Sequence, residues 1–146
     1  MDRGRAGSKH HLIVDAYGLP LAVPLTGGHR NDVTQLIPLL DAVPPIRGKV
    51  GRPRRRPKVV YADRGYDHDK YRRLVWARGI RPLIARRGVA HGSGLGKHRW
   101  VVERTFAWLH AFKRLRTRYE VRADIHLGLL TLAAALICLR HLKKTL

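Results

Sequence analysis

Cysteine is almost absent. Cys138 stands alone among 146 residues, so no internal disulfide can form and every Cys-based zinc site is excluded. That usage suits a reducing cytoplasm. Acidic side chains are scarce too: ten Asp and Glu stand against thirty Lys and Arg, a formal charge of +20. Such an excess points to a polyanionic partner, most simply nucleic acid, although a ribosomal protein or a basic membrane-surface protein would share it. The nine histidines are scattered, and no pair has a convincing ligand spacing on one face. Long hydrophobic runs are also missing. The longest, residues 127–139, is interrupted by Gly128 and Thr131 and falls short of a bilayer, so a buried helix and no membrane partner are expected. Met1-Asp2-Arg3 leads into polar, glycine-rich sequence rather than a secretory leader.

What is present is globular in composition, 45% hydrophobic and 27% charged, and the length suits one core. Residues 1–10 are basic, glycine-rich and without periodicity, and read as a linker remnant. Residues 11–16 read as a strand, Tyr17-Gly18 as a turn and residues 19–25 as a second strand, a hairpin whose Pro20 and Pro24 belong at a sheet edge. Asn31 or Asp32 can cap a helix over 33–42, with Val33, Leu36, Ile37 and Leu40 on one face and Pro44-Pro45 as the stop. Residues 46–57 form a basic Gly/Pro-rich loop. Its Arg54, Arg55 and Arg56 can track a DNA backbone or simply be solvated.

Residues 58–62 (KVVYA) form a buried strand ending on Asp63, before the Arg64-Gly65 turn. An acid there is placed either for catalysis or to cap the next helix. Asp67 caps a helix over 67–78 that turns Tyr71, Leu74 and Val75 inward and closes at Gly79. A strand follows over 80–85, then a basic loop over 86–97. From His98 to about Arg118 the spacing of Val102, Phe106, Leu109 and Phe112 predicts one helix, and residues 123–143 predict another, apolar nearly all round and so covered by protein. Glu103 sits in the first of these among Arg99, Arg104, His110, Lys113 and Arg114, partly buried beside Val102. It is either an ion-pair partner of Arg99 or Arg104, or a metal ligand. Carboxylates from a strand end and a helix can hold Mg²⁺ ions that activate water and stabilise the leaving oxygen of a phosphodiester.

Three blocks in this order, HHLIVDAYGLPLAVPLTGGHRNDV, YADRGYD and HRWVVERTFAWLHAFKRLRTRYE, resemble the carboxyl-terminal part of a DDE-class bacterial insertion-sequence transposase of the insertion-sequence-five group. The resemblance covers essentially the whole chain. It implies an α/β, ribonuclease H-like mixed sheet with flanking helices, lacking its first strand, in a partial catalytic domain spanning 1–146. It implies Asp63 and Glu103 as the second and third acids and metal ligands, with Mg²⁺ (or Mn²⁺) as cofactor. Double-stranded DNA at element ends and target is the implied partner, in the bacterial cytoplasm beside the nucleoid. Arg99 matches the basic residue four before the glutamate, and His110 stands where a lysine commonly follows it. These two are DNA-contact candidates with Arg104, Arg54, Arg55 and Arg56, though His110 also reads as an ordinary exposed histidine. Gly96 replaces an expected tyrosine.

In the family the first acid lies on a strand upstream of the hairpin. Asp15 stands at a hairpin turn instead, and is expected to start that turn. Two of three acids imply an element's second-frame product or a fragment, inactive alone, that folds poorly or associates with another copy or an upstream-frame partner. The competing expectations are a catalytically dead basic DNA-binding module and an unrelated basic structural protein.

Overall fold

The computed structural model describes residues 7–48, 50–89 and 95–145, the side chain of Lys97 excepted. The chain divides into two compact units, Met1–His29 with Trp100–Leu146, and Arg30–Arg99.

In the first unit, β1 (Ser8–His10) pairs antiparallel with β4 (Leu25–Gly27), and β2 (Ile13–Val14) pairs antiparallel with β3 (Pro20–Ala22). The expected hairpin is therefore present, split into two ladders, and residues 8–10 belong to it rather than to a linker. Pro20 and Pro24 explain the break, since neither offers an N–H to the ladder; His11 N–H still reaches the Pro24 carbonyl at 3.0 Å. Asp15 starts the turn as expected, one carboxylate oxygen accepting from the N–H groups of Tyr17 (2.9 Å) and Leu19 (2.8 Å). Gly18 completes it with φ +85, where a Cβ would meet Thr105 Oγ1 at 2.9 Å and the Val101 carbonyl at 3.2 Å. Only glycine fits both the angle and the approach.

Those contacts come from α3 (Gly96–His110), whose buried residues Val101, Thr105 and Leu109 recur every fourth position. The inward face is thus rotated one residue from the expected one, because Thr105 buries its hydroxyl by donating to the Gly18 carbonyl at 2.5 Å. The single helix expected to residue 118 is interrupted. Phe112 adopts an extended backbone (ψ 116) and α4 (Lys113–Arg116) follows as one short turn. The break turns Leu115 inward, where Leu109, Leu115, Leu130, Ala133 and Ile137 form the core of the unit, flanked by Leu12, Leu19, Val23 and Trp108.

The last three buried residues lie on α5 (Ala123–Thr145). Against expectation, α5 is not covered all round: Ile125, Leu132, Leu139 and Leu142 are exposed. At 23 residues it is also long and apolar enough to cross a membrane by length and composition, because the helix extends past the 127–139 run at both ends.

In the second unit, Asn31 caps a 3-10 turn over Asp32–Gln35, its Oδ1 accepting from Val33 N–H at 3.3 Å, and α1 (Leu36–Asp41) continues it. Val33, Leu36, Leu39 and Leu40 are buried. Beyond the basic loop, β5 (Val59–Ala62) and β6 (Arg81–Ile84) pair in parallel, joined by α2 (Asp69–Ala77) as crossover. Val75 is fully buried, whereas Leu74, expected to face inward, is exposed. Gly79 ends the crossover with φ +71. The architecture is mixed α/β. In place of the one mixed sheet expected, the described residues form three two-stranded sheets, and no described strand joins the hairpin ladders to the parallel pair.

Candidate functional site

Asp63 follows β5 directly, at the carboxyl end of a parallel strand, where α/β folds gather their reactive groups. Its Oδ1 accepts from Gly65 N–H at 2.8 Å and so starts a 3-10 turn over Arg64–Tyr66. Both readings of this residue are physically compatible: one oxygen makes the cap, and the side chain remains exposed. Tyr66, on the same turn, is half-buried, its hydroxyl pushed up to about 12 by burial and then by the charges of Asp32 and Asp63. Asp32, which the sequence offered only as a possible cap, therefore bears electrostatically on the same turn.

Asp67 does not cap α2; the cap position belongs to His68, which makes no side-chain capping bond. The Asp67 carboxylate instead ties two loops together. Oδ1 accepts from Arg72 Nε (2.9 Å) and Nη2 (2.6 Å), and Oδ2 accepts from Arg87 N–H (2.7 Å). The Arg87 N–H first, and then the Arg72 guanidinium, hold this carboxyl below the usual carboxylate range. Arg72 also donates to the Ile84 carbonyl at the end of β6 (2.8 Å), and Arg87 donates to the carbonyls of Arg64 (3.0 Å) and Gly65 (3.3 Å). Arg64 in turn donates to the Val89 carbonyl at 2.9 Å. The turn carrying Asp63 is thus tied by Arg64, by Arg87 and, through Asp67, by Arg72; the sequence marked Arg64 only as a turn residue and gave no role to Arg72 or Arg87. The alternation of Arg and Asp in DRGYD was the available signal.

Beside the turn, Tyr61 on β5 stacks on His98 in the first turns of α3, ring centroids 4.2 Å apart. Five residues along the same helix, Glu103 is exposed rather than partly buried, because the inward positions are taken by Val101 and Thr105. Arg99 is exposed as well. Arg104 points elsewhere: its guanidinium lies 4.5 Å from the Trp100 ring and 4.9 Å from the Trp108 ring and donates to the Tyr17 carbonyl. Its Nε is buried without a hydrogen-bond partner among the described residues. His110 is exposed, its ring 6.1 Å from that of Phe106.

Arg54, Arg55 and Arg56 are exposed on the basic loop, which Arg54 and Ile46 close with a pair of 2.8 Å backbone hydrogen bonds. Arg56 donates to the Arg78 carbonyl (3.2 Å), and Arg78 makes a two-pronged pair with Asp41 at 2.9 and 2.8 Å. These groups line a shallow cleft with Arg55.

A second polar cluster, also unforeseen, lies in the other unit. His10 and the buried His126 meet Nε2 to Nε2 at 2.9 Å, and His126 Nδ1 stands 3.6 Å from a Glu120 oxygen. Glu120 accepts from Arg114 at 2.9 Å through its other oxygen.

The family model for the transposase DDE domain matches residues 2–138. The chain is 62% identical over 143 residues to a protein named as a transposase for insertion sequence element IS402 in Burkholderia cepacia, covering 98% of this chain and 68% of that protein. It is 32% identical over 139 residues to a protein named as a transposase for insertion sequence element IS6501 in Brucella ovis, covering 91% of this chain and 98% of that one. No solved structure matches. The chain belongs to the DDE transposase family, and its role is that of an insertion-sequence transposase.

The family as a whole works with divalent metal ions. The two exposed carboxylates are hard oxygen donors of the type Mg²⁺ takes, one or two at a time, with water completing its shell. Among the described residues no group of three or more His, Cys, Asp or Glu forms a ready-made cage.

Proposed function

We propose that the chain supplies the second and third acids, Asp63 and Glu103, of a ribonuclease H-like catalytic domain that cuts and joins DNA at insertion-sequence ends. The observation that carries this reading is the placement of Asp63: an exposed carboxylate at the tip of a parallel strand, on a turn fixed by the Asp67, Arg72 and Arg87 network, in a chain of this family. Mg²⁺, when bound, supplies a polarised water and charge neutralisation at the scissile phosphate. The chain's own residues leave each carboxylate exposed, and the formal charge of +20 suits the DNA backbone. Arg54, Arg55, Arg56, Arg99 and His110 are the exposed groups assigned to phosphate contact, with Arg104 acting mainly to shape the helix surface. The partner is double-stranded DNA in the bacterial cytoplasm.

Asp15 is given no catalytic role in this reading; its Oδ1 starts the hairpin turn. This reading assigns two acids among the described residues, so the chain by itself is expected to bind DNA without cutting it.

The test pairs nicking of supercoiled DNA in Mg²⁺ with Mn²⁺ binding followed by electron paramagnetic resonance, for the unmodified chain, Asp63→Ala and Glu103→Ala. The expected result is Mn²⁺ binding weakened in both variants and no nicking by any of the three. Mn²⁺ binding unchanged in both variants would remove the metal-ligand assignment. Nicking by the unmodified chain that disappears in Asp63→Ala would show that no further acid is needed. DNA binding should fall steeply as salt rises, as counterion release requires.

A further inference from the structure

α5 carries two apolar stripes, and only one is used. His126, Leu130, Ala133 and Ile137 face the core. On the outer side Ile125, Gly128, Leu132, Ala135, Leu139 and Leu142 are all exposed, at alternating spacings of three and four. The large members are far from covered: Ile125 is 47% exposed, Leu132 57%, Leu139 47% and Leu142 54%. A Cβ built at Gly128 meets nothing within 4 Å, so the ground in front of the seam is open. The stripe runs for about 25 Å of helix without a charged residue, a heptad-like seam of the sort that buries itself against another helix.

We infer that this seam joins two copies of the chain through an antiparallel pairing of their α5 helices. The order of side-chain sizes selects the occupant. About a two-fold axis between positions 133 and 134, Gly128 faces Leu139 of the second copy, Leu132 faces Ala135, and Ile125 faces Leu142. Each narrow position receives a wide one, which is how helix surfaces interlock. The same register sets Asp124 opposite Lys143 at both ends of the seam and opposes the two helix dipoles favourably. Asp124 already holds Arg122, so Lys143 is a second cation on that carboxylate. A parallel pairing would instead put Leu132 on Leu132, leave a gap at Gly128 and bring Asp124 against Asp124.

The pairing depends on apolar contact between two bodies that each carry +20, so it should tighten as salt rises, opposite to DNA binding. It does not depend on the catalytic assignment of Asp63 and Glu103.

Sedimentation equilibrium of the full chain tests it, with Gly128→Leu and Gly128→Leu/Leu139→Ala alongside. Gly128→Leu favours the helix itself, so loss of association cannot be blamed on unfolding, which circular dichroism verifies. The expected result is a dimer that Gly128→Leu weakens roughly ten- to hundredfold through overpacking, and that the double variant recovers by exchanging wide for narrow. Oxidation of a mixture of Leu132→Cys and Ala135→Cys chains, both in Cys138→Ser, should give mainly the mixed disulfide. A monomer at all concentrations, a dimer indifferent to Gly128→Leu, or cross-links only between identical variants would each overturn the inference. So would flotation of a monomeric chain with neutral phosphatidylcholine vesicles, increased by Gly128→Leu, which would assign the face to lipid.

Discussion

The two acids assigned to the metal site are held in different ways. Asp63 rides on a loop, and that loop is fastened by arginine hydrogen bonds that link it to residues up to 25 positions away. Glu103 rides on a helix whose opposite side is seated by Val101, Thr105 and Leu109. A polar fastening is geometrically exact but fails locally when one partner is lost. A packed helix tolerates surface change and fails only when its core fails. On that assignment, a carboxylate fixed in place yet open to solvent is obtained once by a network and once by burial of the far side.

The sharpest way to break the comparison is Asp67→Ala. It leaves Arg72, only 13% exposed in its side chain, without its carboxylate, and removal of one partner from a nearly buried pair costs about 3–5 kcal/mol. Amide exchange should quicken in residues 63–68 and 86–89 while α3 stays protected; uniform loss across the chain would show that the network is not local. Leu109→Ala should cost about 2–5 kcal/mol through the cavity it opens, and loosen α3, α4 and α5 together while the parallel pair keeps its protection. If the turn at Asp63 loosened equally, the two fastenings would not be independent.

A smaller effect is pH-dependent. His10 is pushed down from 6.5 to about 4, first by burial and then by the facing His126, with His110, Arg118 and His11 adding to it. The folded chain therefore binds this proton less readily than the unfolded chain. Stability should fall as pH drops below about 6.5 and stop falling on this account past about 4. His10→Gln should flatten that slope in thermal melts, and an unchanged slope would move the effect elsewhere. The smallest change is expected from Glu103→Gln, an isosteric change at an exposed position, within about 0.5 kcal/mol of the unmodified stability. A large destabilisation would mean that Glu103 belongs to the scaffold after all.

Local pattern made much of the fold legible. β-branched residues before Asp63, glycine at 79 and prolines at 44 and 45 each fix a boundary through their own backbone chemistry, and the structure puts those boundaries close to where the residues place them. The hairpin and its turn at Asp15 were legible for the same reason. The break after Ala111 was not, because nothing in 98–118 disfavours helix locally; it arises from seating Leu115 in a core whose other members come from α5. The role of Asp67 was hidden for a related cause. Its decisive donor is the backbone N–H of Arg87, twenty residues distant, and side-chain identity carries no mark of such a bond. The outward face of α5 was misjudged because a helix apolar on two sides looks, in one dimension, like a helix apolar on all.

The guanidinium of Arg104, set between Trp100 and Trp108, gives the chain an optical property. Only three tryptophans are present, and two of them share one cation on the helix that carries Glu103. Their emission and near-ultraviolet dichroism should therefore be dominated by the state of α3, with Trp76 on α2 as a separate, exposed background. Arg104→Met would change that spectrum while sparing the shape of the helix. The protein thus carries an intrinsic fluorophore pair on the helix of Glu103, and any ligand that alters that helix can be followed by light without attaching a label.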